Sequence, residues 1–246
     1  MKNYTVVKPE KSMLEVEYES EDKPLTAFPF QLCKYLTERF KLEGKCLDVM
    51  CGRGEHSKAL NELGLEVHCV DMSTEAAETF PLKNERLSVA DVNLSSLPYE
   101  DETFDVIFCK SAIEHVNADH LVSECRRVLK PGGKVIYLTL DWWYTYRMHY
   151  IDHTHGYGSP WMKHSMKLIL NSYGFEKVLS ENIYYLKFTW GNGIRARLGR
   201  LLCFIIRTFF PYPYTDNFTN PLWKIVRFSN EVQLIGYGEK VKRLNN

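Results

Sequence analysis

The chain has no charge excess of either sign: across its 246 residues, 31 Lys and Arg stand against 31 Asp and Glu. A binder of nucleic acid usually carries a basic surplus, so no nucleic-acid partner is expected. Cys-x-x-Cys pairs are missing too. The seven cysteines (Cys33, Cys46, Cys51, Cys69, Cys109, Cys125, Cys203) are odd in number, and several lie inside apolar runs, so they read as reduced core residues. The first twenty residues, MKNYTVVKPEKSMLEVEYES, carry charges throughout and contain no apolar stretch. No secretory signal is read there, and a cytoplasmic location is expected. Leu201 to Ile206 is a run of six apolar residues, far too short to span a bilayer. There is no internal repeat and no low-complexity tract.

What the chain does have is a soluble-protein composition, 45% hydrophobic and 25% charged, and enough length for one large core. From about residue 44 to 140, short apolar runs alternate with segments of helical composition. The predicted strands are Lys45 to Met50, Glu66 to Val70, Arg86 to Ala90, Phe104 to Cys109 and Lys134 to Leu140. They are nearly continuous in apolar residues, as parallel strands covered on both faces must be. The expected fold is therefore α/β, Rossmann-like and doubly wound, with helices on both sides of a mostly parallel sheet. A helix is predicted over Pro29 to Phe40 and another over Trp161 to Ser172, the latter stopped at Gly174.

The turn after the first strand, LDVMCGRGE (Leu47 to Glu55), puts Asp48 inside the strand and a Cys-Gly-x-Gly sequence at the entry to a helix. A doubly wound sheet binds its ligands at such turns, where the lack of a Cβ lets backbone N–H groups approach closely. A dinucleotide fingerprint would need a third glycine where Ser57 stands, and no Walker-type phosphate loop occurs, so nicotinamide and nucleotide-triphosphate sites are disfavoured. Asp71 follows the second strand, where a carboxylate can accept from both ribose hydroxyls or can cap a helix. Asp91 follows the third, where it can accept from an adenine amino group or simply open a loop. Three such stations in order are far more specific than any one.

With these stations in place, Gly44 to Leu140 resembles the class I S-adenosylmethionine-dependent methyltransferases. LPYEDETFDVIFCKSAIEHV (Leu97 to Val116) is similar to the fourth strand and active-site segment of that family, and RVLKPGGKVIYLTL (Arg127 to Leu140) to its helix, Pro-Gly-Gly turn and fifth strand. The resemblance implies a seven-stranded sheet and S-adenosyl-L-methionine as cofactor. It further implies that Asp48, Cys51, Gly52 and Gly54 surround the methionine part, Asp71 holds the ribose, Met72 packs on the adenine, Asp91 and Val92 hold its edge, and Lys110 and Ser111 line the site near the sulfonium. Met50 departs from the family, which usually has its first glycine there. DHTHGYGSPWMKHSMKLILNSYGFEKV (Asp152 to Val178) resembles a segment of methyltransferases found beside surface-polysaccharide biosynthesis enzymes. A glycan or other small-molecule acceptor follows from that looser match.

If the acceptor is a hydroxyl, a base must take its proton, and His115, His153 and His155 are the candidates. Glu114 can orient a histidine or cap a helix. His153 and His155 lack further ligands at zinc spacing, so no metal is expected. The aromatic run Trp142, Trp143, Tyr144, Tyr146 and Tyr150 can stack on an acceptor or cover the sheet end.

The chain is read as a single methyltransferase domain: an N-terminal helical extension (1–43), a cofactor-binding core (44–140) and a substrate-side segment (141–246) that closes with a strand. Between Lys187 and Asn246, ten Lys or Arg face three Asp or Glu. Within it, Ile194 to Phe210 is an amphipathic helical insertion with Leu198, Leu201, Leu202, Ile205, Ile206 and Phe209 on one face and Arg197, Arg200 and Arg207 on the other. This helix can lie on an anionic membrane surface, as a quinone-type acceptor would require, pack on its own domain, or build a homodimer interface. A non-catalytic cofactor-binding subunit is the remaining reading, resting on Met50 alone.

Overall fold

The structure is a computed structural model that describes residues 27–72, 86–93, 95–145, 159–210 and 221–242. In chain order the elements are α1 (Phe28–Phe40), β1 (Lys45–Val49), α2 (Glu55–Glu62), β2 (Glu66–Asp71), β3 (Leu87–Val89) and β4 (Phe104–Lys110). A 3-10 turn (Ile113–His115) leads into α3 (Ala118–Val128), β5 (Leu129–Leu140), the single turn α4 (Trp142–Thr145), α5 (Lys163–Ser172) and β6 (Phe175–Tyr184). A second 3-10 turn (Lys187–Thr189), α6 (Ile194–Phe209), α7 (Pro221–Asn230) and β7 (Val232–Lys240) complete the order.

The seven strands form one sheet in the order β3-β2-β1-β4-β5-β7-β6. β1 pairs in parallel with both β2 and β4, so the chain reverses its direction of travel across the sheet beside β1. That switch opens a crevice at the carboxyl ends of β1 and β4, the place where such sheets bind ligands. β7 alone runs antiparallel, hydrogen-bonded to β5 on one side and β6 on the other.

The apolar strands are continuous because each feeds two cores. Along β4, Ile107 and Cys109 join one cluster while Val106 and Phe108 join the other, and along β5 the same division separates Val135 and Tyr137 from Ile136 and Leu138. α3 and α5 cover the first face with Leu121, Val122, Cys125, Met166 and Leu170; α1 and α2 cover the second with Leu32, Cys33, Leu36, Ala59 and Leu60. Side chains alternate across the sheet with a period of two, so burial on both faces leaves no polar register.

β7 accommodates its neighbours by omission. A Cβ on Gly236 would run into Met166 of α5, and one on Gly238 would come within 2.9 Å of Phe175. All seven cysteines are free.

Several boundaries differ from the sequence reading. β5 begins at Leu129 rather than Lys134, because Leu129 already pairs with Phe104 ahead of a register shift. Gly132 has the positive φ expected of the Pro-Gly-Gly turn, at 80°, but Gly133 does not. Gly133 is small for another reason: a Cβ there would sit 2.7 Å from Leu129. α5 starts at Lys163, two residues after the predicted start, and Gly174 follows it with φ of 69° as expected of a helix stop.

The largest difference concerns α6. Its buried residues are the small ones, Ala196, Gly199 and Cys203. Arg200 donates to the carbonyls of Thr189 (2.7 Å) and Gly191 (2.8 Å), and the Arg207 guanidinium lies 4.3 Å from the Tyr144 ring centre. Arg200 and Arg207 therefore tie the helix to the domain instead of standing in solvent, while Arg195 and Arg197 are exposed. Leu198, Leu201, Leu202, Ile205 and Phe209 face outward.

Candidate functional site

Three carboxylates stand in order at the carboxyl ends of β1, β2 and β3. Asp48 is buried inside β1, Asp71 is the last residue of β2 and also buried, and Asp91 is half-buried just past β3. The turn between β1 and α2 reaches across to β2. Met50 and Cys51 donate backbone N–H bonds to the Val70 carbonyl, at 2.8 and 3.3 Å, and the Gly52 N–H donates to Asp71 Oδ2 at 2.7 Å.

Alternate residues of this turn are left-handed: Met50 (φ 57°), Gly52 (51°) and Gly54 (72°). Glycines at the second and third of these positions follow from that backbone. At the first, Met50 adopts the conformation a glycine would take. Its side chain packs on the main core cluster, which holds it there against a steric cost of about 1–2 kcal/mol. The departure from the family pattern thus leaves the turn intact.

Burial pushes the Asp48 carboxyl up to about 7, and the nearby Asp71 charge adds to the rise. A hydrogen bond from Ser57 Oγ at 2.5 Å and the Lys110 charge act the other way. Ser57, which stands where a dinucleotide fingerprint has its third glycine, is fully buried and devoted to Asp48. Sequence reasoning treated it only as a missing glycine.

Asp91 Oδ1 accepts the Asn93 N–H at 2.8 Å, so one oxygen shapes the following turn. Val92 beside it is buried in the core cluster. Met72, by contrast, is half exposed at 49%, an apolar side chain at the lip of the crevice next to Asp71. The positions fit the cofactor implied by the family: a left-handed glycine turn for close backbone approach, a buried carboxylate at the end of β2 for a diol, and an exposed apolar flank for a flat ring.

On the other side of the switch, Lys110 ends β4. Burial lowers its pKa from the usual lysine value, while Glu114, Glu231 and Glu55 hold it up. Its Nζ donates to Ser111 Oγ at 3.0 Å, and Ser111 is itself left-handed at φ 53°. His115 closes the 3-10 turn. Its Nδ1 is buried and makes no hydrogen bond, and the same holds for Glu114 Oε2 next to it. Burial raises the Glu114 carboxyl, opposed by the charge of His115 and by Thr139.

Further polar groups line this end of the sheet that sequence reasoning passed over. His56, directly before Ser57, stacks on Phe108 with ring centres 5.8 Å apart, and burial together with the Lys110 charge pushes its pKa well below the usual histidine value. It is a neutral imidazole at neutral pH. Asp141, past β5, accepts from Asn182 Nδ2 at 2.5 Å and from the Trp143 N–H at 3.1 Å. Because β7 is antiparallel, its first residues lie at the carboxyl ends of β5 and β6, and Glu231 is buried there, paired with Arg227 at 2.8 Å. A lone Glu before a strand gives no signal until the strand order is known.

His153 and His155 lie outside the described residues, as do Tyr146 and Tyr150. Trp143 of the aromatic run is 71% exposed, and Tyr144 lies under Arg207. Among the described residues, no group of three or more His, Cys, Asp or Glu is arranged to hold a metal ion.

Comparison with known proteins agrees with this architecture. The family described as "Methyltransferase domain" matches residues 47–137. The ubiquinone biosynthesis O-methyltransferase of Pseudomonas entomophila is 34% identical over 131 residues, covering 50% of this chain and 56% of its own length. That of Xanthomonas oryzae pv. oryzae is 32% identical over 126 residues, covering 48% and 53%. The chain thus spans about half the length of these relatives. A S-adenosylmethionine-dependent methyltransferase from Archaeoglobus fulgidus superposes with a TM-score of 0.62 at 18% identity, over 93% of this chain and 100% of that one. A phosphoethanolamine N-methyltransferase from Haemonchus contortus, solved with S-adenosyl-L-methionine, has a TM-score of 0.55 at 20% identity, over 86% and 53%. Residues 47–137 thus match the methyltransferase-domain family, and the seven-stranded sheet shares the Rossmann-like α/β fold of these solved structures.

Proposed function

We propose that this chain is an S-adenosylmethionine-dependent O-methyltransferase. The observation that carries the reading is the ladder of Asp48, Asp71 and Asp91 along three adjacent strand ends, joined to the glycine turn by the bond from Gly52 to Asp71. The cofactor, when bound, supplies a methyl group on a sulfonium that leaves as a neutral thioether.

The protein's part is largely placement. Asp71 fixes the turn that would hold the methionine end, and its position at the end of β2 suits a ribose diol. The acceptor oxygen must approach in line, at about 3–3.5 Å from the methyl carbon. With the cofactor held by the β1–α2 turn and Asp71, the acceptor hydroxyl would give up its proton to a base of the protein as it takes the methyl group. Glu114, whose charge acts on Lys110, and the adjacent His115 each have a buried side-chain atom without a hydrogen bond, Oε2 and Nδ1, and a base in that place would contribute about 10²–10⁴-fold.

Two acceptor classes compete. The names of the relatives and the outward apolar face of α6 favour a lipid-soluble phenol of the kind that precedes a quinone. A glycan hydroxyl is supported by the order of α5, Gly174 and Phe175 after β5, which matches the polysaccharide-associated pattern, although Asp152 and His155 of that pattern lie outside the described residues. The non-catalytic reading loses its physical basis, since Met50 closes the turn as a glycine would.

The test is transfer of labelled methyl from S-adenosylmethionine to paired panels of polyprenylated catechols and nucleotide sugars or glycans, with Asp71→Ala as control. Turnover of a catechol abolished in the variant supports the reading; turnover confined to glycans transfers it to the second class. Failure of the wild type to bind S-adenosylhomocysteine overturns it.

A further inference from the structure

We infer that the outer face of α6 and α7 is a docking surface for an anionic membrane. On a helix of about 100° per residue, Leu201, Ile194, Ile205, Leu198, Phe209 and Leu202 follow one another around a single stripe, and all six are exposed, Ile194 by 76% and Phe209 by 73%. α7 packs against α6 and carries exposed apolar side chains of its own, Leu222, 71% exposed, and Ile225. Soluble monomers seldom leave a contiguous apolar patch of such extent facing water.

The orientation is fixed by the structure and not by helix amphipathicity alone. The small residues Ala196, Gly199 and Cys203 seat α6 on the domain, and Gly199 has no room for a Cβ because Phe188 would lie 2.6 Å from it. Arg200 and Arg207 anchor the same inner side through carbonyls and the Tyr144 ring. Rotating the helix to bury its leucines would break these bonds. The apolar stripe is thereby held outward.

Charge selects the occupant. Neither α6 nor α7 contains an acidic residue, and the stripe is flanked by the exposed cations Arg195 and Arg197, with Lys224 exposed on α7. A second copy meeting this face across a two-fold axis would set these cations near their own equivalents with no carboxylate from either helix between them. A bilayer with anionic headgroups satisfies both features: acyl chains take the leucine and phenylalanine side chains, and the phosphates take the arginines. No helix among the described residues is long and apolar enough to cross a membrane, so the contact is in-plane. The inference does not depend on which acceptor is methylated.

The test is flotation of the full chain with phosphatidylcholine vesicles with and without phosphatidylglycerol. Wild type is expected to float with the anionic vesicles and to be released by salt. The double variants Leu201→Asp with Ile205→Asp and Arg195→Glu with Arg197→Glu, both at exposed positions, should each lower partitioning at least about tenfold, with thermal melts unchanged. Wild type that stays with the soluble fraction, or variants that float as it does, overturns the proposal. So does a wild-type dimer in sedimentation that the Asp variants dissociate, because the face would then belong to a second copy.

Discussion

Ser57 Oγ donates to Asp48 Oδ2 at 2.5 Å in a site sealed from water on both sides of the bond. The carboxyl is raised to about 7 by burial, so the folded protein binds a proton there that the unfolded chain, with its aspartate near 3.9, releases. Stability from this group is therefore greatest at acid pH and falls as pH rises from about 4 through 7, by an amount on the order of a few kcal/mol. Denaturant melts at pH 5 and pH 8 are expected to show the decline, and Asp48→Asn to flatten it. A wild type equally stable at both values would show that the carboxyl titrates normally.

Replacing Ser57 by Ala removes the donor and leaves a buried carboxyl oxygen unsatisfied. The cost is about 1–3 kcal/mol, and the titration of Asp48 should move upward, since the hydroxyl favours the charged form. Urea melts read the first effect, and the pH dependence of those melts reads the second.

A methionine ammonium placed beside Asp48 would favour its ionised form. Binding of S-adenosylhomocysteine is then expected to tighten between pH 6 and pH 8 and to release a proton, measurable by calorimetry in buffers of different ionisation enthalpy. An affinity that is constant over this range would place the ammonium away from Asp48.

Met50 holds φ at 57° where a β-branched residue is a severe outlier. Met50→Gly should keep cofactor affinity and change stability by no more than about 1 kcal/mol, because relief of strain offsets lost packing. Met50→Val should destabilise clearly and weaken binding. Equal behaviour of the two variants would mean that the turn does not need its left-handed residue.

Gly236→Val is expected to cost about 1–3 kcal/mol, as its side chain must displace Met166 from the sheet face. Met166→Ala in the same chain should recover part of the loss, a coupling that a double-mutant cycle measures.

The five strands between residues 45 and 140 and the three carboxylate stations were legible because each is a local pattern, an apolar run buried on two faces or an acid at its end; β6, with its mixed burial, was not. The direction in which α6 faces was not. Periodicity around Leu198, Leu201 and Ile205 shows that the helix has two unlike sides, while the choice of inner side was made by Gly199 against Phe188 and by Arg207 over Tyr144, contacts between separate segments. His56, Asp141 and Glu231 were illegible for the same reason. They meet the crevice only once β4, β5 and β7 are side by side, and a single His or Glu carries no spacing signal. Ser57 was visible but misread, as the absence of a glycine rather than the presence of a donor.

The antiparallel strand β7 occupies an interior place in the sheet although it is the last of the described strands in chain order. β6 has no other partner among the described strands, and the far edge of β5 stays open until residues 232–240 have left the ribosome. From the synthesis of β5 until β7 is in place, the nascent chain thus carries a ready template for unwanted strand pairing. Completion of the sheet, and with it the placement of Glu231 near Lys110, waits for the seventh strand in chain order: order of manufacture and order of assembly run against each other in this fold.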